Sequence, residues 1–464
     1  MLEPVGRACG IRCPADCQSN GSCNTQTGQC GCALGYEGDA CAECASGYSA
    51  LDGSCVLVGD GAASEWPNEF SRANSDPWII AHHDEIEVLK PRVLVLDYVN
   101  VASPAVTSSL IDRLFAAYRE SSRHHGYDAP GAKAQLEWQL AAPIVNLRDG
   151  ANGRPPPPAN YPFENSSLFP RRPEAEPGYW RFDYATLFEP SYAQYLGFED
   201  PDTSGQYLPL CELVERGLVH EVWVVGSGDV PDAGMAEVLE HKPRYTSTGN
   251  RIRNAVEPCA ANGCYDPDVP FCGRTLRVGF VNYNRGPGCY LHSQGHGLEW
   301  MSRSRAVPSL SEWFQPFANM DLDARHSLPF NNYYDLSCAT PPCIGFPATD
   351  HLRVEHAGIV HDRQPFDAIC GNVHFPPNGR SHYDYGGVAE VASSCASFGR
   401  GGGALGEDRR ELVNRAAWVP FHAVAPDCGG DFLVWWYQNM PAHGSNQVYV
   451  DGRPMKAMWP FLYW

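Results

Sequence analysis

The chain has 464 residues, long enough for one large buried core plus a small accessory module. Hydrophobic residues make up 43% and charged residues 19%, with 45 Gly and 39 Pro, which excludes a disordered or coiled-coil chain and reads as loop-rich and folded. Lys and Arg total 34 against 54 Asp and Glu, and no polybasic run offsets the formal charge of −20, so nucleic acid and anionic membrane surfaces are disfavoured as partners.

From residue 13 the cysteines run Cys13, Cys17, Cys23, Cys30, Cys32, Cys41, Cys44 and Cys55, separated by Gly-containing turns such as Asn20-Gly21 and Thr27-Gly28. Such a stretch has no apolar core of its own and reads as a disulfide framework over residues 1–56. A zinc-thiolate cluster at Cys30-x-Cys32 and Cys41-x-x-Cys44 is the competing reading. The spacing resembles an EGF-like module, most closely the laminin type. That resemblance implies the pairing Cys13 to Cys23, Cys17 to Cys30, Cys32 to Cys41 and Cys44 to Cys55, and an oxidising, extracellular compartment. Cys9 lies outside the eight, and ten more cysteines follow residue 200, expected to staple the body. No apolar run of membrane-spanning length occurs. The start Met1-Leu2-Glu3-Pro4 lacks the regions of a signal peptide, so an export signal is expected to have been removed from a secreted protein.

Residues 57–88 are polar and rich in small side chains and read as a linker, leaving 89–464 as the main domain. Its first strong element is Arg92 to Tyr98 (RVLVLDY), a short continuous apolar run as in a strand buried on both faces. A helix is expected next, with Leu110, Ile111, Leu114, Phe115 and Tyr118 on one face and Ser108 or Ser109 as its cap. Pro155 to Pro158 begins a polyproline excursion. Two further buried strands are expected at His220 to Gly226 and Thr275 to Asn282. Strands alternating with helices predict an α/β body with a mainly parallel sheet, and the Pro-, Asn- and Trp-rich remainder predicts long loops pinned by disulfides. His351, His356 and His361, five residues apart, read as a loop, and His82-His83 as solvated charge in the linker.

Parallel sheets place ligands at the carboxyl ends of their strands, which here are Asp97-Tyr98, Gly226 to Asp229 and Asn282 to Arg285. Just beyond the third, His292, His296 and Glu299 fall at i, i+4 and i+7, so on a helix two imidazoles and a carboxylate share one face. Three protein ligands with an open fourth position is the arrangement of a catalytic zinc. With 16 His in the chain, the His pair alone is expected by chance about half a time, and the added acid lowers that to about 0.06. Gly295 and Gly297 weaken such a helix unless a neighbour approaches its backbone closely. The spacing His292-Ser293-x-x-His296 is similar to a motif of NodB-type polysaccharide deacetylases, in which two histidines and an aspartate hold a metal and a further aspartate is the base. Their paired aspartates at a strand end are absent here, where the strand ends Leu96-Asp97-Tyr98.

A second candidate is the segment Cys370 to Tyr385, dense in polar groups around Pro376-Pro377, from which His374 and Asp384 are expected to act if the loop faces the first group. Its His374-Phe375-Pro376-Pro377-Asn378 stretch and Asn439-Met440-Pro441 resemble those of uncharacterised secreted bacterial proteins. The expectation is a secreted, metal-dependent hydrolase of an extracellular polysaccharide or peptide, with zinc on His292, His296 and Glu299. Asp97, Glu299, His374 and Asp384 are the candidate catalytic groups, and Asp229, Arg285, Asn378 and Tyr385 the candidate substrate contacts. Trp435-Trp436-Tyr437 and the tail Trp459 to Trp464 could stack on sugars, though core packing is their default use. The alternatives are an extracellular glycan-binding or adhesion protein without catalysis, and a peptidase.

Overall fold

A computed structural model describes the chain at residue 17 and over 20–24, 29–32, 36–44, 48–51 and 54–57. From residue 66 onward it describes everything except 152–165, 174–179, 228–236, 241–268, 303–306, 398–409, 446 and 450–452. The N-terminal module consists of short antiparallel ladders: Gly21–Asn24 with Gln29–Cys32, Tyr36–Glu37 with Glu43–Cys44, and Tyr48–Leu51 with Ser54–Leu57. Disulfides Cys17–Cys30 and Cys32–Cys41 follow two of the four expected pairings. Cys17 and Cys41 are fully buried, and among the described residues Cys30, Cys32 and Tyr36 pack around them, so the sulfurs form the core there. Cys9, Cys13 and the side chains of Cys23 and Cys55 lie outside the described residues.

The body is a mixture of helices and a mainly parallel sheet. The segments that matter are α1 (Glu69–Asn74), α2 (Pro77–His82), β1 (Arg92–Asp97), α3 (Pro104–Ser121), β2 (Gln139–Leu140) and β3 (Val145–Asn146). They continue with β4 (Glu221–Gly226), β5 (Glu237–Glu240), β6 (Arg277–Asn282), α4 (Pro287–Met301) and α5 (Gly430–Gln438). The strand order is β5-β6-β4-β1-β2, with β3 also on β1; every pairing is parallel except that of β5 with β6. Alternation places Val93 and Val95 of β1 in one apolar cluster and Leu94 and Leu96 in another on the opposite face. Burial on both faces is why these strands read as unbroken apolar runs.

On the first face, α3 presents Leu110, Ile111, Leu114, Ala117 and Tyr118, all buried, and α4 and α5 complete the layer. The helix starts earlier than expected: Ser103 holds the cap position, Pro104 opens the first turn, and Ser108 and Ser109 lie inside. All nine residues of α5 are buried, and so are Trp459 to Trp464, so these aromatics are core rather than sugar platforms. Residues 66–88, inside the expected linker, form α1 and α2. Trp66 and His83 are buried, with ring centroids 5.1 and 4.4 Å from that of Phe461, which corrects the solvated reading of His83. His351, His356 and His361 lie on paired antiparallel strands, His351–His356 and Ile359–Arg363, rather than on a loop.

Among the described residues four bridges staple the body: Cys211–Cys272, Cys289–Cys428, Cys338–Cys343 and Cys370–Cys395. Cys259, Cys264 and Pro155 to Pro158 lie outside the described residues. Among the described residues no helix is long and apolar enough to cross a membrane.

Candidate metal centre

Helix α4 leaves the carboxyl end of β6 and carries the candidate histidines on its second and third turns. Its N-terminus is held by Asp427, whose carboxylate accepts from Gly286 N at 2.6 Å and Gly288 N at 3.0 Å. A Cβ on Gly288 would sit 1.9 Å from the Asp427 carbonyl oxygen, so only glycine permits this approach. The neighbouring Cys289–Cys428 disulfide locks the same contact. Two turns further on, a Cβ at Gly295 would lie 2.6 Å from Val373 Cγ2. That glycine therefore admits the 370–385 segment against the helix, and the Cys370–Cys395 bridge anchors the segment four residues before His374.

The result is a cluster of three imidazoles. His296 Nε2 lies 3.2 Å from His292 Nε2 and 3.1 Å from His374 Nε2, and one ligand atom from each ring lies within 4.8 Å of the others. Tetrahedral zinc with Zn–N bonds of about 2.0–2.1 Å spaces its nitrogen ligands about 3.3 Å apart. The donor set and two of its spacings therefore fit that ion. The Glu299 carboxylate, an acceptor only, accepts a hydrogen bond from His296 Nδ1–H at 2.8 Å, which leaves a lone pair on His296 Nε2 facing the other two rings. One N–H···N bond could satisfy only one of those approaches, whereas a cation at the centre satisfies all three. His374 Nδ1 is held in turn by His382 Nδ1 at 3.0 Å, and the His292 ring by the Cys428 backbone.

Burial first, then the neighbouring His296, holds His292 down at about 3, against a small opposing effect of the Cys428 carbonyl. His374 sits at about 3 through burial and the adjacent His296 and His292. Both are thus neutral at physiological pH, the form in which imidazole binds a metal. Burial pushes the Glu299 carboxyl up, but the adjacent His296 and hydrogen bonds from His296, Tyr334 and Val373 outweigh it and leave it below the usual carboxylate range.

Glu299, expected as the third ligand, is not part of the converging group His292, His296 and His374. Its Oε2 accepts from His296, while its Oε1 accepts from Tyr334 Oη at 2.9 Å and Val373 N at 3.3 Å, so both oxygens are engaged by protein donors. The third imidazole comes instead from His374, assigned from sequence to catalysis. Asp97, expected as a base, is buried and held by Arg148 Nη2 at 2.6 Å and Nε at 2.9 Å, with Val99 N on its other oxygen. Both of its oxygens are thus engaged by protein donors. Asp384 is likewise tied to Arg380, through N at 3.1 Å and Nε at 3.3 Å. Tyr385 does reach the cluster, donating to Val373 O at 2.7 Å with its hydroxyl 3.5 Å from His292 Nδ1. Asn378 is fully buried and donates to Gly387 O and Ala389 O, which makes it a loop brace and not a substrate contact. Arg285 is exposed just before α4, and Asp229 lies outside the described residues.

Sequence reasoning did not select Tyr334, which no periodicity marks, nor give His382 a role within the segment it singled out. Tyr383 is 56% exposed, has a left-handed backbone (φ 63°), and lies 4.3 Å centroid to centroid from His374. Cys289, Asp427 and Cys428 also come close enough to suggest a metal, but the two sulfurs are joined in a disulfide.

No curated protein and no solved structure matches the chain, and neither comparison supports the expected resemblance of the body to NodB-type deacetylases or to secreted bacterial proteins. Residues 12–55 match the Laminin EGF domain, which together with the disulfides of the body marks an extracellular protein.

Proposed function

We propose that the protein is a secreted, metal-dependent hydrolase whose α/β body holds zinc on His292, His296 and His374. The observation that carries this reading is the convergence of three Nε2 atoms at 3.1 and 3.2 Å, with His296 oriented by a buried carboxylate. Zinc held by three imidazoles supplies a Lewis acid with an open fourth position, able to polarise a carbonyl and to acidify water. Around it the chain's own residues act as orienting groups: Glu299 keeps His296 in the Nδ1–H tautomer, Tyr334 and Val373 N fix Glu299, and His382 steadies His374. Tyr383 offers an exposed aromatic face beside His374, which favours a substrate with a flat apolar face. A glycan fits that face and the extracellular setting, and we take a glycan ester or amide as the substrate class.

The test is metal content by mass spectrometry on protein purified without chelators, compared with His296→Ala, together with product release from acetylated xylan and chitooligosaccharides. About one zinc per chain, lost in the variant along with product release, is expected. Unchanged substoichiometric metal in both proteins ends the proposal, and cleavage of peptides alone replaces the glycan with a peptide substrate.

A further inference from the structure

A groove of about 500 Å³ opens at the edge of the sheet where the parallel strands begin, beside Pro91 before β1, His220 before β4 and Thr275 before β6. Helix α4 starts from the opposite edge, so this groove is separate from the histidine cluster. Its volume is in the range of small-ligand sites.

Three features define what the groove could take. Trp78, on α2, lines it and is 51% exposed. Asp76 caps α2 by accepting from Trp78 N at 2.8 Å, and His82 packs against the indole with ring centroids 5.1 Å apart, so the ring is held although it is not buried. Around it stand charged groups, of which Arg274 and Lys90 make only long ion pairs. Arg274 Nε lies 3.9 Å from Asp76, and Lys90 Nζ, half exposed, lies 3.7 Å from Glu137. Glu85 is 74% exposed and accepts from His82 at 2.9 Å. The groove is lined by three acids, Asp76, Glu85 and Glu87, and two permanent cations, Lys90 and Arg274, with His82 and His220 beside them, so both donors and acceptors are present and neither sign dominates strongly. A large single-sign ligand has nothing to match there, and the overall charge of −20 repels polyanions.

From this geometry we infer that the groove is a second, non-catalytic binding site for neutral oligosaccharides, with a pyranose ring lying on Trp78 and its hydroxyls on Asp76, Glu85, Lys90 and Arg274. β-Linked glucose and N-acetylglucosamine suit it best, because their equatorial substituents leave a flat C–H face for the indole and carry the hydroxyls outward to the charged rim. The inference stands apart from the metal centre, since none of these side chains touches it.

The experiment is isothermal titration of the full chain with cellohexaose, chitohexaose and, as a polyanion, a heparin hexasaccharide. Binding of one or both neutral hexasaccharides is expected, weakened about tenfold or more by Trp78→Ala with an unchanged Tm, because the ring is exposed. Arg274→Gln is expected to weaken it less, and cellohexaose, which carries no ester or amide for the metal centre, is expected to bind His296→Ala as it binds the unaltered chain. No heat from either neutral sugar at millimolar concentration overturns the inference. So does unchanged affinity in Trp78→Ala, tighter binding of the heparin fragment, or loss of cellohexaose binding in His296→Ala, which would move the sugar to the metal centre.

Discussion

The Glu299→Gln substitution separates an orienting carboxylate from a bystander. Glutamine keeps the shape of the side chain but has one acceptor oxygen and one NH2 donor. Glu299 receives three donors: His296 Nδ1–H at 2.8 Å, Tyr334 Oη–H at 2.9 Å and Val373 N–H at 3.3 Å. If the amide oxygen serves Tyr334 and Val373, the NH2 faces His296 and forces Nδ1 to accept. The proton then moves to Nε2, the atom that must bind metal. If the amide is turned, Tyr334 and a buried backbone N–H face a donor instead. Either way the pair loses its charge as well, and losses of this kind in metal sites amount to about 10- to 100-fold in affinity, or about 1.4–2.8 kcal/mol. The assay is zinc competition against a chromophoric chelator on demetallated protein at pH 7.5, with His292→Ala setting the scale for losing a ligand. An affinity within about twofold of wild type would refute the orienting role. A loss as large as that of His292→Ala would make Glu299 a ligand in its own right.

Asp97→Asn removes the counter-charge of a nearly buried Arg148, and should cost about 3–5 kcal/mol in urea unfolding while leaving zinc stoichiometry intact; a loss of bound metal with normal stability would restore Asp97 to the site. Gly295→Ala pushes a methyl against Val373 and should destabilise by about 1–3 kcal/mol and weaken zinc binding, because Val373 precedes His374; a stabilised variant, as helix propensity alone would give, contradicts the packing argument. Burial lowers His124 and His220 to about 4 from an unfolded value near 6.5, and His220 Nδ1 accepts from Arg92 N at 3.1 Å. Because the folded values are the lower ones, stability is complete above about pH 6.5 and falls as pH drops towards 4. Each group contributes on the order of 1–3 kcal/mol, and His124→Gln should flatten the slope; a protein that gains stability over that interval contradicts it.

What could be read from the chain alone follows from what is local. β1, β4 and β6 were legible because burial on both faces leaves no polar alternation, and His292 and His296 because four residues make one helical turn. The third imidazole was not, since His374 lies 78 residues beyond His296 and reaches it only where Gly295 lets the segment in. Glu299 satisfied the same helical spacing and so drew the ligand assignment, although its carboxylate is engaged by His296 Nδ1, three residues earlier on the helix. Asp97 looked free because its partner Arg148 is 51 residues away. The module's cysteines announced themselves by spacing, whereas the Cys289–Cys428 bridge, 139 residues apart, has no local signature.

X-ray absorption at the zinc edge of the purified protein tests the three-imidazole centre most directly. The account predicts one zinc per chain with three imidazole nitrogens at about 2.0 Å and one further light-atom ligand, falling to two imidazoles or to no bound zinc in His374→Ala. Sulfur in the first coordination sphere, a six-oxygen environment, or a spectrum unchanged by His374→Ala would contradict it.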